Sequence, residues 1–459
     1  MIKRRNDFIS NVILNSSMFR VIYIIDMFCA SIVFMEEISL VFRCIILSWG
    51  LVILVNNFIV NRNILKIRYS KIILAFILSN ILTICIHIGP GFLANALSVY
   101  HITVCLIIFY GMYIEADSKK LKKEIIIICE FMVIITTILA VVGLTLFIFK
   151  TQFILGRYYI GMDQNRFVGI YTNSNLVAFS GVVAIVFAHC LLKISKRNKS
   201  ITILRRPFLF VSIALNFLSL VLSDSNASFI LLVLYCIICC SYWVLCIESK
   251  SSSYSKIKKA LALVFLLLFI AVISFSIRGI FQNAISILIN DMIGDVDQGV
   301  VIGRENYDIT YGSGRSILLV QGWEMFLHHP ILGIGRGNLL LYAKRYLEGG
   351  LRYSDLHNGY LTILVCSGLV GFCIFFYFGV LLAKDMTQYL ISNRKNKQAN
   401  IFPNLFAFIV GYCVYSLFEK TIFTEITFMV MAFWLIVGYA TAYMINDFKV
   451  IDDVPSSIL

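Results

Sequence analysis

The sequence predicts an all-α polytopic membrane protein with about twelve transmembrane helices and one large extracytoplasmic loop that contains short amphipathic helices. Of its 459 residues, 60% are apolar and only 14% are charged, with a mean hydropathy of +0.88. This composition lies far outside the range of soluble globular domains. Apolar runs long enough to cross a hydrocarbon core of about 30 Å recur along the whole chain. Loops rich in Lys and Arg alternate along the chain with loops that have few of them, as the positive-inside rule requires.

The apolar runs define twelve spans, and the charge of the loops between them sets the orientation. With the N-terminus inside, 26 of the 39 Lys and Arg residues fall in inner segments. Both termini are then predicted to be cytoplasmic, in a multi-pass protein of the cytoplasmic (inner or plasma) membrane. The chain divides into helices 1–9 (1–277), an outer loop (278–358), and helices 10–12 with a tail (359–459). The predicted spans cover residues 19–35, 43–60, 72–88, 92–114, 125–149, 167–192, 207–222, 228–247, 260–277, 359–383, 404–418 and 426–446.

Net charge and cysteine usage exclude two further classes of protein. The formal charge is +14, but it is concentrated in loops assigned to the cytoplasm, where it can face anionic lipid. We therefore expect membrane lipid and no nucleic acid as a partner. The thirteen cysteines lie in or beside apolar runs and avoid residues 278–356. This placement argues against a disulfide framework or a zinc site.

The outer loop has a helical pattern of its own. Residues 279–293 place apolar side chains on one face, which predicts a helix lying in the membrane interface. Residues 315–329 predict a second amphipathic helix that stops at Pro330. A glycine-rich turn follows, and then a short helix over 339–348 that Gly349 and Gly350 close.

Arginines in this loop and in the preceding outer segments suit a pyrophosphate, because the guanidinium fork pairs with phosphate oxygens and keeps its charge. Arg315, Arg336 and Arg166 are the main candidates. Gly333 and Gly335 flank Arg336 closely enough for backbone N–H groups to approach an anion. Solvated loop charge and an ordinary turn are the competing interpretations. Further arginines of this kind are Arg157, Arg345 and Arg352.

His357 is the candidate base. It precedes the tenth predicted span, where a helix N-terminus disfavours the cationic form and would keep the imidazole neutral. Asp355 or Asn358 could orient the ring. The competing interpretation is an interfacial histidine with no catalytic role. We assign His328 and His329 a structural role.

Acidic residues offer a weaker, metal-dependent alternative. Asp295 and Asp297 have the spacing of a metal-binding pair, but a solvated turn explains them as well. Glu36 and Glu37 lie in the first outer segment, where a metal could bind. Ionisable residues within predicted spans could form a proton relay or could simply pack in the bundle: Asp26, Arg43, His87, His101, Glu130 and His189.

Two motifs resemble the bacterial O-antigen ligase/polymerase family. One runs from Arg315 through the His-His-Pro-Ile-Leu-Gly-Ile-Gly-Arg-Gly-Asn segment that ends at Asn338, and continues at Asp355-Leu-His-Asn-Gly. The other spans 166–178, at the mouth of the sixth span. The layout of twelve spans with one large outer loop before the tenth is also similar. One departure is Ser225-Asn226, where the family has Ser-Arg, which puts the role of that arginine in doubt here.

The resemblance implies glycosyl transfer at the outer face of the membrane, without a metal or other cofactor. The donor would be a glycan on undecaprenyl pyrophosphate, and the acceptor another lipid-linked glycan. His357 would be the general base, and Arg315 and Arg166 would hold the pyrophosphate. A flippase and a chain-length regulator are further partners in such a pathway.

We expect a polymerase that builds capsule or O-antigen from lipid-linked repeat units. The alternative within enzymes is a ligase that transfers finished glycan to another acceptor. The alternative outside enzymes is a flippase or other transporter of lipid-linked oligosaccharides.

Overall fold

The computed structural model describes residues 13–115, 118–197, 204–246, 253–293, 314–351, 353–393, 401–423 and 426–446. Within these ranges the chain is almost entirely helical. The α-helices are α1 Ser16–Cys29, α2 Glu36–Val55, α3 Ser70–Ile86, α4 Phe92–Thr103, α5 Met112–Glu115, α6 Ser118–Ile148, α7 Ser174–Arg197, α8 Arg206–Leu222, α9 Asn226–Cys246, α10 Ser253–Ile293, α11 Arg315–His328, α12 Leu339–Tyr346, α13 Gly359–Ser392, α14 Phe402–Tyr415 and α15 Phe428–Ile445.

The all-α polytopic class is confirmed. Eight helices in the described part of the chain are long and apolar enough to cross a membrane, and α3, α8 and α14 are shorter apolar helices. At 1.5 Å per residue, a helix of 14–17 residues reaches only about 21–26 Å, less than the hydrocarbon core. Each of the twelve predicted spans overlaps a helix, but the short ones leave the number of crossings open.

The predicted sixth span begins too early, at residue 167. Residues Arg166–Gly169 form strand β3, and the helix α7 starts at Ser174. β3 pairs in antiparallel fashion with β2 (Tyr158–Asp163), which pairs with β1 (Phe153–Leu155). Gln164 and Asn165 both have positive φ, as a two-residue hairpin turn requires. The run after Arg166 looks like part of a helix only because it is continuous with the apolar α7.

The predicted interface helix over 279–293 is not a separate element. α10 runs unbroken from Ser253 to Ile293, a length of 41 residues. Gly279 lies inside it, and one helical glycine costs only about 1 kcal/mol relative to alanine. The helix therefore continues through the predicted end of the ninth span.

α15 forms the centre of the bundle, and 89% of its residues are buried inside the protein. A buried ion pair joins α1 to α6, and a hydrogen bond connects α15 to it. Arg20 donates to Glu124 at 2.7 Å with both side chains almost inaccessible, and the Tyr439 hydroxyl donates to the same carboxylate at 2.9 Å. A buried charge is tolerated when it is paired in this way.

The described part of the outer loop packs on the start of α13 through a small apolar core of its own. α13 is broken at Gly368, which has φ +64 and ψ −174. The segment 330–335 fills the break, and Leu369 N–H donates to Pro330 O at 2.8 Å. The members of the small core are Met325, Phe326, Ile334, Leu339, Ala343, Leu347, Leu356 and Val365.

Candidate active site

His357 lies in the short segment that leads into α13, in a left-handed conformation with φ +43. Such a conformation costs a residue with a side chain on the order of 1–3 kcal/mol and persists only where its surroundings hold it. The His357 N–H donates to Asp355 Oδ1 at 2.9 Å, and the ring Nε2 lies 3.5 Å from the same oxygen. Asp355 therefore fixes the backbone of the predicted base and places a carboxylate beside its ring.

Asn358 and the residue after it anchor this segment. The Asn358 side chain accepts from Leu361 N–H at 2.9 Å, which makes it the N-cap of α13. Its amide nitrogen donates to Leu417 O at 3.1 Å, and Gly359 N–H donates to Ser416 O at 2.7 Å. The start of α13 is thus attached to the turn between α14 and α15.

That turn supplies Glu419, a carboxylate that bridges the candidate residues. Its side chain is only 7% exposed. Arg315 donates to Oε1 at 3.2 Å, while Nδ1 of His357 lies 3.5 Å from Oε2. One buried carboxylate thus brings the arginine and the imidazole together, although they are 42 positions apart in sequence. The Arg315 and His357 side chains remain 32% and 28% exposed.

Arg166 joins the same cluster through an amide. It donates to Asn175 Oδ1 at 2.8 Å, and Asn175 donates in turn to Glu419 Oε1 at 3.1 Å. Arg166 also donates to Ser223 O at 2.9 Å, at the end of α8. The hairpin turn before β3 places Arg166 there, so two distant motifs of the sequence meet at one site.

The charges of the cluster alternate in sign. Lys420 lies 2.5 Å from Asp355 on the side opposite His357. Burial alone would raise the pKa of Asp355, but Lys420 and His357 together hold that pKa below its ordinary value. Asp355 is therefore an anion beside the imidazole.

The sequence predicts that the helix N-terminus lowers the pKa of His357 and keeps the imidazole neutral. The direction of this predicted shift is wrong. The pKa of His357 is raised, first by the interaction with Glu419 and also by Asp355, against the opposing effects of burial and of Arg315. Two nearby carboxylates outweigh the helix terminus because full charges at 3.5 Å act more strongly than partial ones. A raised pKa makes His357 a stronger base.

Arg336, Gly333 and Gly335 are placed differently from the expectation. Gly333 N–H donates to the carbonyl oxygen of His329, just after the end of α11. Gly335 N–H donates to the carbonyl oxygen of Cys366, within α13. Gly337 N–H donates to Asn95 Oδ1 at 2.6 Å. The prediction of an anion-binding nest is therefore wrong, because these N–H groups already donate hydrogen bonds to acceptors within the protein. Both glycines have positive φ, and Gly333 packs against the break in α13 while Gly335 packs against Asn95 of α4.

Asn226 stands at the position where the resembling family has an arginine. In this structure the guanidinium of another arginine contacts Asn226. Arg278 of α10 donates to Asn226 Oδ1 at 2.6 Å and pairs with Asp224. The Arg278 side chain is 7% exposed. This charge comes from a different helix, close to the Ser223 carbonyl that Arg166 contacts.

The remaining candidates lie apart or have structural partners. Arg157 donates to Glu36 at 2.9 Å, so one member of the alternative acidic pair faces a cation. Among the described residues, no group of three His, Cys, Asp or Glu is placed to hold a metal. His329 pairs with the Tyr346 hydroxyl at 3.1 Å, and His328 stacks on the same ring. Asp295, Asp297 and Arg352 lie outside the described residues.

Glu419 and Lys420 were missed from the sequence. Both follow the predicted span 404–418 in a short outer segment with no motif around them. Their only signal is a pair of opposite charges at the outer end of a helix, which is common on solvated turns. Their function becomes visible only when the turn is seen packed on the start of α13.

Comparison with known proteins supports the resemblance. The family model described as O-antigen ligase matches residues 208–376, a little over a third of the chain. The match includes Arg315, Arg336, Asp355 and His357. A search of curated proteins finds no match. The resemblance to the O-antigen ligase/polymerase family is thus confirmed over this domain, residues 208–376.

Proposed function

We propose that the protein is a membrane glycosyltransferase of the O-antigen ligase type. It moves a glycan from a polyprenyl pyrophosphate carrier to the hydroxyl of an acceptor, at the extracytoplasmic face of the membrane. The observation that carries the proposal is the Glu419 bridge, which holds a partly exposed arginine and a partly exposed imidazole on two oxygens of one carboxylate. A cation for the leaving group and a base for the nucleophile are the two groups that this transfer needs.

In the proposed reaction, the acceptor hydroxyl oxygen attacks the anomeric carbon of the donor glycan. The bond between that carbon and the pyrophosphate oxygen breaks, and its electron pair stays on the pyrophosphate. The hydroxyl proton passes to His357, whose positive charge Asp355 and Glu419 then stabilise. Arg315 donates to the pyrophosphate as its charge grows, because a guanidinium has donors beyond the one used on Glu419. Arg166 supports the same side of the site through Asn175.

The family description favours the ligase over the polymerase that we expected from the sequence. The two can be separated in a strain that lacks the gene. Loss of a ligase leaves full-length polymer on its lipid carrier, whereas loss of a polymerase leaves acceptors capped with a single repeat unit. Single capped repeats in that strain would return the assignment to a polymerase, and an unchanged glycan profile would contradict both.

A transporter gains little support from the charges inside the bundle. Asp26 lies 3.7 Å from Arg43, and Arg20 is paired with Glu124. His189 shares a hydrogen bond with the Tyr235 hydroxyl. These described residues are engaged with partners on neighbouring helices, as structural groups are.

We predict that transfer does not depend on a divalent metal. The purified protein should keep its activity in EDTA, because Arg315 supplies the fixed positive charge that a metal would otherwise bring to the leaving group. The measurement is the transfer rate before and after chelation. Activity that is lost and then restored by a divalent ion would shift the assignment to Glu36 and Glu37.

We also predict a specific pH dependence. Protonated His357 cannot act as a base, so the rate should fall as the pH drops through its raised pKa, above the ordinary value of about 6.5. Glu419→Gln removes the charge that contributes most to this rise, so the acidic limb of the rate profile should move to lower pH. The same limb position in both proteins would contradict the coupling between Glu419 and His357.

A further inference from the structure

Two polar side chains attach α10 to the bundle near the end that leads to the outer loop. Among the α10 side chains that the structure describes, only Arg278 and Gln282 are buried. They are four positions apart, so they lie on the same face of the helix. Both contact the turn of residues 223–225 between α8 and α9, or the residues that flank it. A helix so little covered by protein thus uses its two buried polar groups for one contact.

The Arg278 guanidinium holds both sides of this turn. One of its nitrogens pairs with the Asp224 carboxylate, and the other donates to Asn226 Oδ1 at 2.6 Å. Gln282 donates to Val221 O at 2.9 Å and to Asp224 Oδ1 at 3.2 Å. Asp224 has a φ of +52, a conformation that is unfavourable for a residue with a side chain and persists only where its surroundings hold it. The network therefore fixes the backbone of the turn as well as its charge.

The same turn carries a carbonyl oxygen that Arg166 uses. Arg166 Nε donates to Ser223 O at 2.9 Å, and Ser223 is fully buried. Ser223 directly precedes Asp224 in the chain. The other contact of this guanidinium is to Asn175 Oδ1 at 2.8 Å, on the side of the candidate active site. Two neutral oxygens thus orient Arg166, and Arg278 holds the residue next to one of them.

Arg278 is placed to support this arrangement and not to contact the substrate. Its side chain is only 7% exposed, and its Cζ atom lies 5.3 Å from the centroid of the Phe229 ring. Its charge is balanced by Asp224. Without that balance, Asp224 would be a partly buried anion beside the acceptor of Arg166. A guanidinium binds a carboxylate more strongly than a neutral oxygen, so Arg166 would be drawn towards Asp224 and away from the site.

We propose that Arg278 is a positioning residue for the transfer reaction and acts on Arg166 through the turn of residues 223–225. This inference rests on the proposed function and deepens it, because it gives α10 a part in the reaction. No bond is made or broken at Arg278. It keeps the Arg166 guanidinium on its two acceptors while negative charge grows on the leaving group. Loss of Arg278 should therefore lower kcat more than it changes KM.

The test is a double-mutant cycle, measured as single-turnover transfer at saturating donor by the purified full-length protein in lipid nanodiscs. Arg278→Gln should lower the rate by about tenfold, which lies within the range of coupling between residues of one hydrogen-bond network. Adding Asp224→Asn should restore the rate to within a few fold of wild type, because no anion then remains to attract Arg166. In an Arg166→Ala protein, Arg278→Gln should lower the rate no further. A merely structural role would give the same loss in both backgrounds.

Arg68 provides a matched control. It forms an ion pair with Asp385 at 2.7 Å, and its Cζ atom lies 5.3 Å from the centroid of the Tyr69 ring, as in the surroundings of Arg278. Asp385 is close to the far end of α13, on the order of 40 Å along the helix from its start at the site. Arg68→Gln should change the rate little, and by the same factor with and without Arg166.

Melting temperatures of all variants check folding. If Arg278→Gln does not fold, Arg278→Lys takes its place in the cycle, because lysine keeps a positive charge beside Asp224 but lacks the planar fork. A wild-type rate in the variant of Arg278, or an equal loss with and without Arg166, would overturn the positioning role. Coupling of the same size between Arg68 and Arg166 would overturn it as well.

The two proposals can fail separately. A wild-type protein without transfer activity would contradict the glycosyltransferase, and the cycle is then read in melting temperatures. The losses from Arg278→Gln and Arg166→Ala should be less than additive if the turn couples the two residues, and additive losses would overturn the inference. Transfer by wild type, with independent effects of the two substitutions on the rate, would overturn the positioning role alone.

Discussion

His357→Ala should abolish glycan transfer while the protein stays folded in the membrane. A positioned general base contributes about 10²–10⁴-fold to a rate, and this base is additionally strengthened by Asp355 and Glu419. Because alanine keeps the Cβ atom and so does not relieve the unfavourable φ of +43, a small loss of stability from the lost side-chain contacts is expected besides the loss of rate. The measurement is single-turnover transfer from a polyprenyl-pyrophosphate glycan to its acceptor.

His328→Ala is the matched control for this substitution. His328 belongs to the same loop but stacks on Tyr346, away from Glu419. It should retain a rate within a few fold of wild type. If His357→Ala kept normal transfer, the imidazole would have to be removed from the mechanism, and Asp355 would become the next base to test.

Arg315→Ala should lower kcat by about 10²–10³-fold, the usual effect of removing one group that stabilises developing negative charge. The loss should appear in kcat more than in KM, because the charge on the pyrophosphate grows mainly in the transition state. Arg315→Lys should recover only part of the rate, since an ammonium lacks the planar fork. Arg345→Ala, an exposed arginine on α12, should leave the rate unchanged.

The pH profile of Arg315→Ala separates a catalytic effect from a structural one. Arg315 lowers the pKa of His357 through its charge, whereas Glu419 raises it. Removal of the arginine should therefore move the acidic limb to higher pH, opposite to the shift in Glu419→Gln. A variant that is merely misfolded would lose amplitude at every pH and would not move the limb.

The sequence was sufficient for the parts of this fold that depend on local pattern. Apolar runs located the helices, including the start of α13 at residue 359, and Pro330 correctly ended α11. The β hairpin before α7 was not predicted, because β3 is apolar and continuous in sequence with a helix. The break at Gly368 was not predicted for a different reason. A single glycine in an apolar run is compatible with an intact helix, and only the docking of residues 330–335 pulls it apart.

The sequence identified the residues of the site, but it did not identify the contacts that join them. His357, Arg315 and Arg166 were singled out from motifs, and the structure brings them into one network. Glu419, which connects them, was not identified because its neighbours in space come from residues 166–175, 315 and 357. Arg336 was grouped with the others because it is close to them in sequence, yet it lines a small space between α3, α4 and α13.

The Glu419 bridge also limits what can be transplanted between relatives. The matched domain ends at residue 376 and begins at 208, so it contains the imidazole and one arginine but neither the carboxylate nor Arg166. A chimera that received only this domain would carry His357 beside whatever turn the host provides between its last helices. Swapped enzymes should therefore regain turnover only when the grafted fragment brings its own counterpart of residues 416–423.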